Sequence, residues 1–138
     1  WNTDIWEELM FSRRKLNNTL IDNLDFESLI EKHPPKKGDF WYLDPPYIVA
    51  DTRKYYTFNF TFEDHVRLKD NIDMIDKSGG YFMISYDDKE EVYELYKDYN
   101  IHAIPVQYNM NRAEGTKGKL YNELVIINYD LQQQESLF

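Results

Sequence analysis

The chain has 138 residues, enough for one domain or part of one with a real hydrophobic core, and 42% apolar with 30% charged residues is ordinary for a globular protein. Aromatics reach 17%, which argues against disorder, and the absence of Cys excludes disulfide scaffolds, thiolate metal sites and Cys nucleophiles. The formal net charge of −9 counts against a simple nucleic-acid coat, though it leaves room for a local basic groove. No run of about 18 apolar residues occurs and the N-terminus lacks a secretory pattern, so a cytoplasmic protein without a membrane span is expected. The first residue is Trp1 rather than Met, which is read as a sign of missing upstream sequence.

Residues 4 to 16 are predicted helical, because Ile5, Trp6, Leu9, Met10 and Leu16 follow helical spacing. Arg13, Arg14 and Lys15 stand near its end, where cations suit the helix dipole. Asn17-Asn18 breaks the pattern, and Thr19-Leu20-Ile21 reads as a short strand. Asp25 is a candidate N-cap for a helix through Phe26, Leu29 and Ile30, which Pro34-Pro35 ends. Gly38-Asp39 turns the chain into Phe40-Trp41-Tyr42-Leu43, a run expected to be a buried strand. It stops at Asp44-Pro45-Pro46-Tyr47, and an aromatic-rich loop follows over residues 48 to 60.

Thr61 and Asp64 resemble a capping box, with His65, Leu68, Ile72 and Ile75 marking one helix face and Gly79-Gly80 closing the helix. Tyr81 to Tyr86 is a second buried strand, and Asp87 with Glu90 forms a second predicted capping pair. Val92, Leu95, Tyr96 and Tyr99 stripe the next helix. Residues 101 to 108 and 124 to 129 read as two strands joined by a polar connection carrying Arg112, Lys117 and Lys119. The alternation predicts an open α/β sheet, mostly parallel, with a terminal antiparallel hairpin. Ligands of such sheets bind at the carboxyl ends of the strands, which points to the loops after Ile21 and after Leu43.

Asp44-Pro45-Pro46-Tyr47 directly follows a strand. As a plain turn it would be unremarkable chemically, since Asp and Pro are common turn residues. It also resembles the motif of amino-methyltransferases, which implies as substrate a planar amine whose lone pair is delocalised into a ring, a poor nucleophile. A carboxylate at Asp44 and a carbonyl at Pro45, held rigid by two prolines, can each accept one N–H and favour a cation-like transition state. Tyr47 can stack on the face of a base.

These residues resemble the motif of amino-methyltransferases that use S-adenosylmethionine, and more closely that of the Dam-like (D12 class) DNA adenine-N6 methyltransferases. The resemblance extends through Leu43–Tyr47, the Tyr-rich loop, Phe60-Thr61 with Asp64-His65 and Leu68, Phe82–Asp87, Leu95-Tyr96 and Asn122–Tyr129, covering roughly residues 17 to 130. It implies the C-terminal part of a Rossmann-like methyltransferase domain at 17–130, preceded at 1–16 by the end of a target-recognition region and followed by a tail at 131–138. It implies methyl transfer from S-adenosylmethionine to the N6 amine of an adenine flipped out of double-stranded DNA. Asp44, Pro45, Pro46 and Tyr47 would then be catalytic, and Asp25, Phe26 and Asp44 would hold the methyl donor. For Asp25 a simple helix cap explains the residue equally well.

Other expectations stay open between two readings. Tyr55, Tyr56 and Phe58 either close over the flipped base or serve as core or lid packing. Asn109, Asn111, Arg112, Lys117 and Lys119 suit contact with DNA, while Arg13, Arg14 and Lys15 suit either phosphates or a solvated helix end. His33, His65 and His102 lack metal-ligand spacing, so no metal is expected, and His65 reads as packed rather than catalytic. The tail Gln134–Phe138 resembles the short peptide that bacterial replication proteins insert into the sliding clamp, or is simply a disordered end.

The family's Phe-x-Gly-x-Gly loop has no counterpart, since the glycines lie only at 38, 79, 80, 115 and 118. The acidic residue expected at the end of the second strand is also missing. The expectation is therefore a C-terminal piece without a complete cofactor site, inactive by itself. Alternatives from the residues are a methyltransferase of another planar amine, such as RNA adenine or protein Gln, and a non-catalytic remnant or clamp-binding module.

Overall fold

Helical spacing and capping carry through to the structure most directly where they are local. The computed structural model describes residues 3–48, 59–107 and 120–131. It divides into two units, Trp1–Lys32 and His33–Phe138. Among the described residues no helix is long and apolar enough to cross a membrane.

In the first unit, helix α1 spans Thr3–Leu16 and helix α2 spans Phe26–Lys32. The C-terminal end of α1 is closed by the Thr19 hydroxyl, which donates to the Lys15 carbonyl at 3.0 Å. Asp25 caps α2: its Oδ1 accepts from the Glu27 backbone N–H at 3.0 Å, and α2 ends before Pro34-Pro35 as expected. The predicted strand at 19–21 is not formed. Leu20 and Ile21 are 82% and 79% exposed, and these residues have no ladder partner among the described strands. Strand preference without a neighbouring strand is not enough to make one.

In the second unit, strand β1 spans Phe40–Leu43, helix α3 Phe62–Lys77, strand β2 Tyr81–Asp87, helix α4 Glu90–Leu95, strand β3 Asn100–Gln107 and strand β4 Leu120–Ile127. The four strands form one sheet in the order β1-β2-β4-β3. Only β1 and β2 pair in parallel, and β4 pairs antiparallel with both β2 and β3. The expected mostly parallel sheet is thus corrected to a mainly antiparallel one. The reason is topological: β1, β2 and β3 run the same way, but reversed β4 inserts between β2 and β3 and turns two ladders antiparallel. The expected terminal hairpin pairing of β3 with β4 is present. Pro105 is accommodated on β3, an edge strand.

Thr61 and Asp64 form the complete capping box, with the Thr61 N–H donating to Asp64 Oδ2 at 2.8 Å. Those bonds hold the Asp64 carboxyl below its ordinary value. His65, Leu68, Ile72 and Ile75 on α3 are buried, as are Phe82, Ile84 and Tyr86 on β2 and Leu124 and Ile126 on β4. Val92 and Tyr96 complete this core. The turn after α3 needs glycine: Gly79 has φ +79°, and a Cβ on Gly80 would lie 3.1 Å from an Ile75 side-chain carbon.

Two further expectations are corrected. β1 is not a buried strand, because it lies at the sheet edge with Phe40 57% and Tyr42 62% exposed. Asp87 and Glu90 do not cap α4. Lys89 is its N-cap without a side-chain bond, since Asp87 still belongs to β2 and uses its carboxylate elsewhere.

His65 is 1% exposed and its Nδ1 shares a 2.8 Å hydrogen bond with the Tyr86 hydroxyl. Burial pulls its pKa from 6.5 to about 4, only partly opposed by Asp64. The imidazole is therefore neutral in the fold, and a proton binds the unfolded chain first. Stability from this group is complete above about pH 6.5 and falls as pH drops toward 4, by on the order of 3 kcal/mol. Denaturant unfolding of the gene product between pH 7 and 4 checks this: His65→Gln should flatten the slope, and equal slopes in both proteins would refute it.

Candidate functional site

At the end of β1 the chain meets Asp44-Pro45-Pro46-Tyr47. The prolines fix their own φ and push the preceding residues toward extended backbone. They also lack N–H groups, so this arm cannot continue the ladder with β2. It is tied instead by side chains.

Three ties are visible. The Ser85 hydroxyl donates to Asp44 Oδ1 at 3.0 Å. The Tyr47 hydroxyl donates to Glu123 Oε1 at 3.1 Å, across 76 positions of sequence. The Ile48 backbone N–H donates to Asp87 Oδ1 at 3.3 Å. Asp44 itself is exposed, while Pro45, Pro46 and Tyr47 are half-buried.

Strand register explains why these three residues meet the loop. Leu43 pairs with Ile84, which sets Ser85 beside Asp44. Asp87 pairs with Glu123 across the β2–β4 ladder. Because β4 runs against β1 and β2, its early residues share one rim with their carboxyl ends. Two carboxylates directly opposite each other are unfavourable, and here donors from the loop reach both. Burial pushes the Asp87 carboxyl above its ordinary value, and the Ile48 N–H opposes that shift. At the same rim the Asn122 side-chain amide donates to Asp88 Oδ2 at 3.0 Å.

The rim is backed by a buried aromatic cluster. Tyr86 lies between Ser85 and Asp87 on β2 and is fully buried. Its ring centroid lies 5.4 Å from that of His65 and 5.6 Å from that of Tyr96, and Phe60 meets His65 edge-on at 4.7 Å. Burial holds the Tyr86 hydroxyl above its ordinary value, so it stays protonated.

The structure therefore brings Asp44, Pro45, Pro46 and Tyr47 together with Ser85, Asp87 and Glu123. Sequence reasoning assigned no role to Ser85 and Glu123, and gave Asp87 only that of a helix cap. Strand alternation held the signal: Ser85 and Asp87 alternate with buried Ile84 and Tyr86, and Glu123 precedes buried Leu124. Asp25 and Phe26 belong to the first unit, Asp25 exposed and Phe26 half-buried. Arg13, Arg14 and Lys15 are exposed in the last turn of α1. Tyr55, Tyr56, Phe58, Asn109, Asn111, Arg112, Lys117, Lys119 and the tail Gln134–Phe138 lie outside the described residues.

The family model for D12 class N6 adenine-specific DNA methyltransferases matches residues 6–110. A relative, the Type II methyltransferase M1.LlaDCHI of Lactococcus lactis subsp. cremoris, is 35% identical over 120 residues. The match covers 83% of this chain and 41% of that protein, so the chain spans well under half of the relative's length. The crystal structure of a precorrin-8W decarboxylase from Methanobacterium thermoautotrophicum is 13% identical, covering 78% of this chain and 91% of that one with a TM-score of 0.32. That likeness is too slight to bear on fold or function.

Asp87→Ala removes the acceptor of the Ile48 N–H. Exchange of that amide with solvent should quicken about tenfold or more, as expected for loss of a bond to a carboxylate. Amide exchange followed by NMR in the gene product checks this, and an unchanged Ile48 rate would show that the tie does not hold the loop.

Proposed function

Because the chain belongs to the D12 class of N6 adenine-specific DNA methyltransferases, we propose that it carries the amine-binding part of an enzyme that methylates adenine N6 in double-stranded DNA. The observation that carries this reading is the exposed Asp44 carboxylate at the end of β1, oriented by Ser85 and joined through two prolines to a tethered Tyr47.

The chemistry follows from the acceptors. An ionised carboxylate has two oxygens and can accept several hydrogen bonds. With Ser85 on Oδ1, Asp44 can also accept one N–H of the target amine. The Pro45 carbonyl accepts the other. Two acceptors draw the nitrogen from planar toward tetrahedral and free its lone pair for attack. When bound, S-adenosylmethionine supplies an electrophilic methyl group on a sulfonium. Methylation would leave positive charge on N6, which the fixed Asp44 carboxylate would stabilise. The surplus proton leaves along the hydrogen bond to Asp44.

Tyr47 stacks on the extruded base and holds it in line with the methyl group. Tyr55 and Tyr56 close over the base. An exposed carboxylate at Asp25 suits hydroxyl donors and the Phe26 ring suits an adenine face, so each fits a role in holding the methyl donor. Asn109, Asn111, Arg112, Lys117 and Lys119 meet the DNA. The match to a Type II methyltransferase supports a role in restriction–modification.

Radiolabelled methyl transfer to adenine-containing duplex DNA by the intact gene product tests the reading. Label should appear as N6-methyladenine. Asp44→Ala should lower transfer by about three orders of magnitude or more with the thermal unfolding profile retained. Near-normal turnover in that variant would remove Asp44 from the mechanism.

A further inference from the structure

We propose that Glu123 is a positioning residue, one that sets the orientation of the Tyr47 ring. The inference rests on the stacking role given to Tyr47 above and deepens it.

A tyrosine at the end of a rigid proline arm still turns about two side-chain bonds. Its hydroxyl lies on the axis of the second of these, so a hold at the far end fixes the direction of the ring's long axis. Here the hydroxyl donates to Glu123 Oε1 at 3.1 Å, a bond strengthened by the charge on the acceptor. The anchor stands on an interior strand of the sheet. β4 is paired on both edges, and Leu124, Ile126 and Ile127 beside Glu123 are fully buried. Tyr47 is thus fastened at its backbone side through Ile48 to Asp87 and at its hydroxyl to Glu123, two residues directly opposed in the ladder.

A carboxylate facing another across a ladder is a poor choice for stability alone. The geometry points to a positional duty instead. A ring already set in its stacking orientation spares that ordering when the base arrives. Affinity for DNA is dominated by phosphate contacts, so loss of the tether should fall on turnover rather than on DNA binding.

The test is kinetic and spectroscopic, in the intact gene product. Glu123→Ala should lower kcat about tenfold with little change in KM for DNA. Glu123→Gln keeps an acceptor oxygen at the same reach and should stay close to wild type. Glu123→Asp keeps the charge but withdraws the oxygen, and should behave as Glu123→Ala. Tyr47→Phe should match Glu123→Ala, and the double variant should be no worse than either. Additive losses in the double variant, or a Glu123→Asp enzyme as fast as wild type, would overturn the proposal.

A second readout does not depend on activity. With 3-fluorotyrosine at position 47, the fluorine resonance should move in Glu123→Asp. An unmoved resonance in Glu123→Asp would overturn the proposal. Absence of methyl transfer by the wild-type protein would instead strike the proposed function, while the fluorine signal would still decide the tether.

Discussion

Two consecutive prolines at the end of a strand create an arm that cannot satisfy itself. Its prolines have no N–H to give the neighbouring strand, yet it carries a carboxylate and a carbonyl that must point in fixed directions. The second unit is organised around that constraint. Ser85 on β2 donates to the arm, while Asp87 on β2 and Glu123 on β4 accept from it, each at the rim nearest the arm. A single misplaced strand would remove at least one tie.

Reversal of β4 is what makes the rim possible. Had β4 run with β2, the residues opposite Asp87 would come from its late half rather than from Glu123 at its start. Inserted antiparallel, it offers its early polar residues beside the carboxyl ends of β1 and β2 and its later apolar residues to the core. The other end is fixed as well. Asn128, just past β4, accepts from the Phe82 N–H and donates to Asp76 and to the Gly80 carbonyl. The aromatic cluster of Phe60, His65, Tyr86 and Tyr96 stiffens β2 from behind.

Features set by neighbours in sequence were legible. The Thr61–Asp64 capping box, the buried face of α3, the Asp25 cap and the Gly79-Gly80 stop all follow from local chemistry, and all are present. So was the packed rather than exposed character of His65. Features set by a partner strand were not. Leu20-Ile21 has strand character but stays outside the sheet, and Phe40 and Tyr42 read as core yet lie exposed at an edge. Asp87 resembled a cap because its spacing to Glu90 is right, but its carboxylate is claimed by Ile48, 39 positions away. At the site, the motif itself could be read from residues 44 to 47. The residues that hold it could not, because their role depends on the register of strands far apart in sequence.

The acidity of the rim bears on the proposed reaction. A chain of net charge −9 that gathers Asp44, Asp87, Asp88 and Glu123 near one loop is ill suited to approach phosphates there. It is better suited to a base that arrives neutral and becomes cationic as the methyl group is transferred. On the proposed reading the Asp44 carboxylate, accepting from that nitrogen, favours the charged transition state over the neutral ground state, which is the difference that accelerates a reaction. Phosphate contacts on this reading fall to the basic side chains between β3 and β4, Arg112, Lys117 and Lys119. The connection that carries them leads into β4, the strand that bears Glu123.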